Sequence, residues 1–165
     1  MPITLADLLT RARSQIGLNT RYVLGGGTAS GVSCQDKDRA CDCSGYVCWV
    51  LQRARRMTDP RWAKVNGGWL NTDLWWWDAM HDDILGEQCD PQAGALIVYP
   101  AAWMDKRKTG PKIGHIGILT APDRVIHCSG GNYRTAKDAI QETGLDVFRA
   151  VASTITVWVK GVDRA

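Results

Sequence analysis

A chain of 165 residues, 45% of them hydrophobic and 22% charged, suits one compact domain, and a core of that size needs no disulfides to hold it. The net charge is only +3, and the short runs Arg53, Arg55, Arg56 and Lys106, Arg107, Lys108 read as solvated surface, which argues against nucleic acid as a partner. The opening MPITLADLLTRARSQIG lacks a basic start followed by an apolar stretch, and no apolar run approaches a membrane-spanning length, so no signal peptide, synthesis in the cytoplasm and no membrane partner are expected.

Leu5, Leu8, Leu9, Ala12 and Ile16 recur near helical spacing, with Thr4 placed to cap the start and Gly17 to stop the run, which predicts an amphipathic opening helix. RYVLGGG follows, a short apolar piece ending in glycines where the backbone can turn or approach a ligand. Residues 28–40 are polar and read as loop. From Ser44 to about Met57 a helical stripe returns through Tyr46, Val47, Val50, Leu51 and Ala54, and Asp42 stands where an N-cap belongs. Cys43 therefore falls in the first turn of a helix. The stretch 58–92 holds five of the eight tryptophans and predicts a short helix over 72–81. After Pro91 and Gly94 come the β-type runs ALIVY, HIGILT, RVIHCS and TITVWVKGV, separated by the turn signals Pro100, KTGPK and Ala121-Pro122-Asp123. Helices first and strands after predict an α+β fold with an antiparallel sheet packed on helices. With no repeats or low-complexity linkers, residues 1–165 read as a single domain.

The six cysteines pose a chemical choice, because four of them lie between Cys34 and Cys48. Cys34 and Cys41 bracket a polar loop and could pair across it. Cys34, Cys41, Cys43 and Cys48 could bind zinc, although structural zinc sites space their ligands as C-x-x-C pairs and these are not so spaced. The third reading makes Cys43 a nucleophile. The unpaired N–H groups and partial positive charge of a helix start favour its thiolate, and a nearby histidine could hold the proton. His81, beside Asp82 and Asp83, looks like surface. His115 opens one predicted strand and His127 nearly ends the next, so folding at the turn at 121–123 brings the two imidazoles together. A nucleophile on a helix, a base on a strand and an orienting group on the neighbouring strand make a generalised triad.

DCSGYV (42–47), preceded by Tyr22-Val23-Leu24-Gly25-Gly26, resembles the signature of the NlpC-type cysteine peptidases, papain-like enzymes that cut the peptides of the bacterial cell wall. Three further pieces follow in the family's order: Pro91 to Leu96, the G-H-I-G-I strand from Gly114 to Ile118, and Ile126-His127. The resemblance spans about residues 5–129 and implies a papain-like fold. It implies Cys43 as nucleophile, His115 as general base, His127 as polar third member and Tyr22 as an oxyanion donor. Asp42 and Ser44 match positions that hold the substrate's amine and peptide groups in some relatives, and Asp42 equally suits a plain helix cap. No cofactor or metal is implied.

The reaction implied is hydrolysis of a peptidoglycan stem-peptide amide, at the γ-D-glutamyl-diamino acid bond, by a monomeric enzyme. Its rivals are an acyltransferase or amidase on a non-wall substrate and a non-catalytic zinc or wall-binding module. Wall access would come by non-Sec export, phage lysis or delivery, and an exported antibacterial toxin would have an immunity protein as partner. The sequence departs from the family in the Trp-rich stretch at about 58–90, which reads as an insertion forming a hydrophobic mini-core or a cleft wall. A basic, mobile-looking segment over 102–113 is placed to act as a lid. Cys48 should face within its helix, Cys89 should lie in a loop, and Cys128 should point away from His127's face.

Overall fold

The computed structural model describes residues 3–26 and 39–164. Its centre is a six-stranded antiparallel sheet in the order β4 (Gly86–Gln88), β9 (Ile155–Val159), β5 (Leu96–Tyr99), β6 (His115–Ala121), β7 (Arg124–Cys128), β8 (Ile140–Thr143). All four predicted β-type runs form strands of this sheet, and the fold is α+β, as expected. Helix α1 (Leu5–Arg13) starts at Thr4, whose hydroxyl accepts the Asp7 N–H at 3.1 Å, and it buries Leu8 and Ala12 completely. The short strands β1 (Ile3–Thr4) and β10 (Val162–Asp163) pair in parallel. So do β2 (Arg21–Tyr22) and β3 (Ala40–Cys41), with Tyr22 opposite Cys41. That pairing lays Tyr22 alongside the residues that lead into Cys43.

Helix α2 (Cys43–Val50) is buried along its whole length and packs on β6 and β7. It stops well short of the expected end at Met57. Gln52 takes a left-handed conformation (φ 53°), the Gln52 N–H donates to the Trp49 carbonyl at 3.1 Å and the Arg53 N–H donates to the Cys48 carbonyl at 2.9 Å. These two bonds make a Schellman ending without its usual glycine. Arg11 of α1 also donates to the Val50 carbonyl at 2.6 Å, placing a cation at the helix C-terminus.

The early stop redirects the basic run that follows. Arg55, expected on the surface, is 1% exposed. Its guanidinium returns to the start of α2, lying 3.1 Å from Asp42 Oδ1, donating to Ser44 Oγ at 2.7 Å and donating to the Gly26 carbonyl at 2.6 Å. The Trp69 ring stacks over it with the Arg55 Cζ 4.7 Å from the ring centroid. A planar cation bonded to a carboxylate, a hydroxyl and a carbonyl and covered by an aromatic face can stay buried, even with its Nε left unpartnered among the described residues, where a lone charge could not.

The Trp-rich stretch forms a mini-core, one of its two expected roles. Trp62 and Trp75 are almost fully buried, Trp69 sits under Arg55 and Arg56, and the Lys64 Nζ lies 4.3 Å from the Trp77 ring centroid. Helix α3 (Thr72–His81) has the predicted span and is capped by Asn71, which accepts the Leu74 N–H at 3.1 Å. The basic segment after β5 is braced rather than loose. Arg107 pairs with Asp105 at 2.5 Å and donates to the carbonyls of Pro100 at 3.0 Å and Pro111 at 2.6 Å, while Asp105 also accepts from Ser153. Two short helices, α4 (Gly130–Ala136) and α5 (Asp146–Arg149), and the strands β4 and β8 were not predicted, because none carries a long apolar period. Among the described residues no helix is long and apolar enough to cross a membrane.

Removing Arg55 would strand the buried Asp42 carboxylate and the Gly26 carbonyl. Arg55→Met is therefore expected to cost about 3–5 kcal/mol of stability, with Arg55→Lys recovering only part because an ammonium lacks the planar fork. Urea unfolding of the two variants measures this, and a loss below about 1 kcal/mol for Arg55→Met would contradict the pairing.

Candidate active site

Asp42 fixes the start of α2. Its Oδ1 accepts the Gly45 N–H at 2.7 Å and the Ser44 hydroxyl at 3.1 Å, and its Oδ2 accepts the Gly25 N–H at 3.0 Å. The first residue of the helix is Cys43, a free thiol that is 5% exposed. Its sulfur lies where the backbone N–H groups of Ile116 and Ser44 can donate to it, and Ile116 is the residue next to His115 along β6. Burial pushes the Cys43 pKa up to about 12, and the Asp42 charge adds to the rise. The two N–H groups and Arg55 pull the other way without overcoming it, so the group rests as a thiol.

His115 and His127 meet as the turn predicted. His115 Nε2 lies 2.7 Å from His127 Nδ1. The two do not face each other directly, because Ile118 pairs with Ile126 and a bulge follows between Leu119 and Ala121. His127 therefore sits across from Gly117, and His115 reaches it along the diagonal. A Cβ on Gly117 would lie 3.0 Å from the His127 Cβ and 2.5 Å from Val125 Cγ2, so only glycine leaves the strands this close. Gly114 meets the same limit, since its Cβ would sit 2.7 Å from the Tyr99 carbonyl oxygen and against the side chain of Thr72. The G-H-I-G-I pattern is thus a packing requirement around His115.

Two groups at this site escaped the sequence reading. Phe148, the only phenylalanine, stacks on His115 at 5.2 Å and 22° and meets His127 edge-on at 5.8 Å. Its being the sole residue of its type was the one available signal. Thr143 Oγ1 lies 2.9 Å from His127 Nε2, at the end of the unpredicted strand β8, and nothing in its neighbourhood pointed to it. Burial lowers the His115 pKa to about 3, helped by the His127 charge, and lowers that of His127 to about 4. Both imidazoles rest neutral.

The histidines open onto a cleft of about 370 Å³ whose walls include Tyr22, Tyr99, Ile113, Gly130 and Arg134. No tryptophan is among its lining residues, so the Trp-rich stretch does not form its wall. Burial, followed by the Cys43 charge, raises the Tyr22 pKa, which keeps the phenol protonated as a donor. Asp42 and Ser44 are buried and do not line the cleft, and their polar atoms are engaged by the helix start and Arg55. His81 is exposed, donates from Nδ1 to the Trp77 carbonyl at 2.8 Å and stacks on the Trp77 ring.

The other sulfurs point elsewhere. Cys34 lies outside the described residues, and with it the Cys34–Cys41 pairing. Cys41 Sγ sits 3.6 Å from Cys128 Sγ, both buried, so Cys128 does turn away from the imidazoles. Cys48 Sγ lies 3.9 Å from the Leu70 carbonyl. Among the described residues no three histidine, cysteine or acidic side chains gather as a metal site would require.

The two imidazoles also bear on stability. Each has a pKa in the fold below its ordinary 6.5, so between about pH 6.5 and 4 the unfolded chain binds more protons and stability falls as pH falls. The thermal midpoint should therefore drop between pH 7 and pH 4.5, and His127→Gln should make that drop smaller. An equal drop in the variant would mean that the buried histidines do not govern it.

Among curated proteins none matches the chain. A sequence model described as NlpC/P60 family matches residues 19–147, more than three quarters of the chain and all of the elements that carry Tyr22, Cys43, His115 and His127. On that match, with which the α+β architecture agrees, the chain belongs to the NlpC/P60 family, whose members are typically cysteine peptidases or amidases of the bacterial cell wall.

Proposed function

We propose that this protein is a peptidoglycan hydrolase, a cysteine endopeptidase that cuts an amide of the stem peptide at the γ-D-glutamyl-diamino acid bond. The observation that carries the reading is the line of groups that runs from the start of α2 to the two histidines lining the cleft. Cys43 opens α2 with its sulfur at the Ile116 amide, and His115, one residue away, is hydrogen-bonded to His127 at 2.7 Å.

In this mechanism the Cys43 sulfur attacks the scissile carbonyl while its proton passes to His115. A thiol and an imidazole that both rest neutral make proton transfer part of the attack rather than a step completed beforehand. The oxyanion of the tetrahedral intermediate takes the Tyr22 hydroxyl and the backbone N–H of Cys43 as donors. Collapse expels the amine, which receives the proton from His115, and leaves the acyl group on sulfur. Water, deprotonated by His115, then attacks the thioester and releases the acid. His127 holds the His115 ring and shares the charge it gains. Phe148 packs against both rings and keeps water from their faces.

The cleft suits an anionic peptide. Arg134 is the only charged side chain among its described lining residues, makes no ion pair among them, and lies over the Gly130–Gly131 backbone on the side of the Tyr22 ring. Stem peptides carry free carboxylates, which a guanidinium can hold by paired hydrogen bonds.

Defined muropeptides digested with the purified protein and resolved by mass spectrometry test the reaction. Cleavage at the γ-D-glutamyl bond is expected, and Cys43→Ala should lose it by at least ~10³-fold while keeping the wild-type thermal midpoint. Turnover by that variant, or products cut at another linkage, would overturn the assignment. Arg134→Glu should raise KM about tenfold or more with kcat little changed, since the group binds carboxylate away from the reacting carbon. An unchanged KM would remove Arg134 from substrate recognition.

A further inference from the structure

Two neutral imidazoles joined by one hydrogen bond leave a question of direction. Each ring carries a single N–H, so either His115 donates to His127 or the reverse. Only one choice makes His115 a base. With the proton on Nε2, its Nδ1 keeps a lone pair for the thiol proton. With the proton on Nδ1 it has none.

The far end of the chain of bonds decides the direction. Thr143 Oγ1 lies 2.9 Å from His127 Nε2 and also 2.9 Å from the Gly144 carbonyl oxygen. A carbonyl cannot donate, so the Thr143 proton goes to Gly144 and the hydroxyl oxygen is left as an acceptor. His127 must then donate from Nε2, which leaves His127 Nδ1 bare. The bond between the histidines can form only if His115 donates its Nε2–H, so His115 Nδ1 is left free. If instead the hydroxyl donated to His127 Nε2, each proton would shift the other way and His115 would be blocked at Nδ1.

We propose that Thr143 is a positioning residue which, through its bond to the Gly144 carbonyl, sets the tautomer of both histidines and leaves His115 ready to accept the proton of Cys43. The same short stretch supplies the ring that packs against both imidazoles, which stand at 79° to each other. Helix α5 follows directly on Gly144 and Leu145, and its first turn, closed by the Leu145 carbonyl accepting the Phe148 N–H at 2.9 Å, presents Phe148 to both rings. Burial keeps both rings neutral at pH 7, so the tautomers are defined there. The catalytic part of this inference rests on the hydrolase reading above, whereas the tautomer assignment does not.

The experiment uses the whole chain labelled with ¹⁵N-histidine, in which only His81, His115 and His127 report. His81→Gln removes the exposed ring and leaves the pair. Long-range ¹H–¹⁵N correlation at pH 7 should show the Nε2–H tautomer at both remaining rings. Thr143→Val, close to threonine in shape but without the hydroxyl, should give mixed or reversed tautomers, and Thr143→Ser should restore the wild-type pattern. On muropeptides, Thr143→Val should lower kcat by about 10²-fold with KM unchanged, and Thr143→Ser should recover most of it. An Nδ1–H proton on His115 in the wild type, or an unaltered pattern in Thr143→Val, overturns the proposal. If the wild type cleaves no muropeptide, the hydrolase reading falls, and the spectra still decide the role of Thr143. If Thr143→Val does not fold, the wild-type and Thr143→Ser spectra decide alone: Nε2–H at both rings in both proteins upholds the assignment, and any other pattern overturns it.

Discussion

The carboxylate of Asp42 is the point on which the rest of the site depends. Buried ions are costly, and this one is tolerated because donors from separate parts of the chain fill its lone pairs: the Gly45 amide, the Ser44 hydroxyl, the Gly25 amide and the Arg55 guanidinium. The first two set where α2 begins, and so where the Cys43 sulfur stands. Gly25 ties in the strand that presents Tyr22. Arg55 ties in the segment after α2, and through the face of Trp69 it ties in the Trp-rich mini-core. A stretch that contributes nothing to the cleft wall thus contributes to the position of the Cys43 sulfur.

The second constraint is dryness. Burial holds Cys43 as a thiol and both histidines as neutral rings, so every charge that appears in the site must be compensated locally. On the sulfur side the compensation is the amides of Ser44 and Ile116 and the positive end of α2. On the imidazole side it is His127, backed by Thr143. Glycine at 117 is what allows β6 and β7 to approach closely enough for that side to form.

Much of this was legible from local patterns. The cap at Asp42, the helix start at Cys43, the span of α3 and the strands bearing His115 and His127 each follow from residues within a few positions of one another. Arg55 was not legible. It stands in a run of three arginines that reads as surface, and the helix before it ends on glutamine where glycine would have signalled a stop. Thr143 and Phe148 were missed for a related reason, since β8 and α5 span only four residues each and carry too little period to be placed.

The sequence by itself determined which residue types stand on which elements, and in what order, because helix caps, turn residues and apolar periods are short-range preferences. It was enough to assign the fold class, to place Cys43 at a helix start and to bring the two imidazoles together. Tertiary structure alone decided which charges are buried, which polar atoms they satisfy and which nitrogen of each histidine carries its proton. Desolvation and hydrogen-bond direction exist only once groups distant in the chain have closed around one another, and no local pattern encodes them.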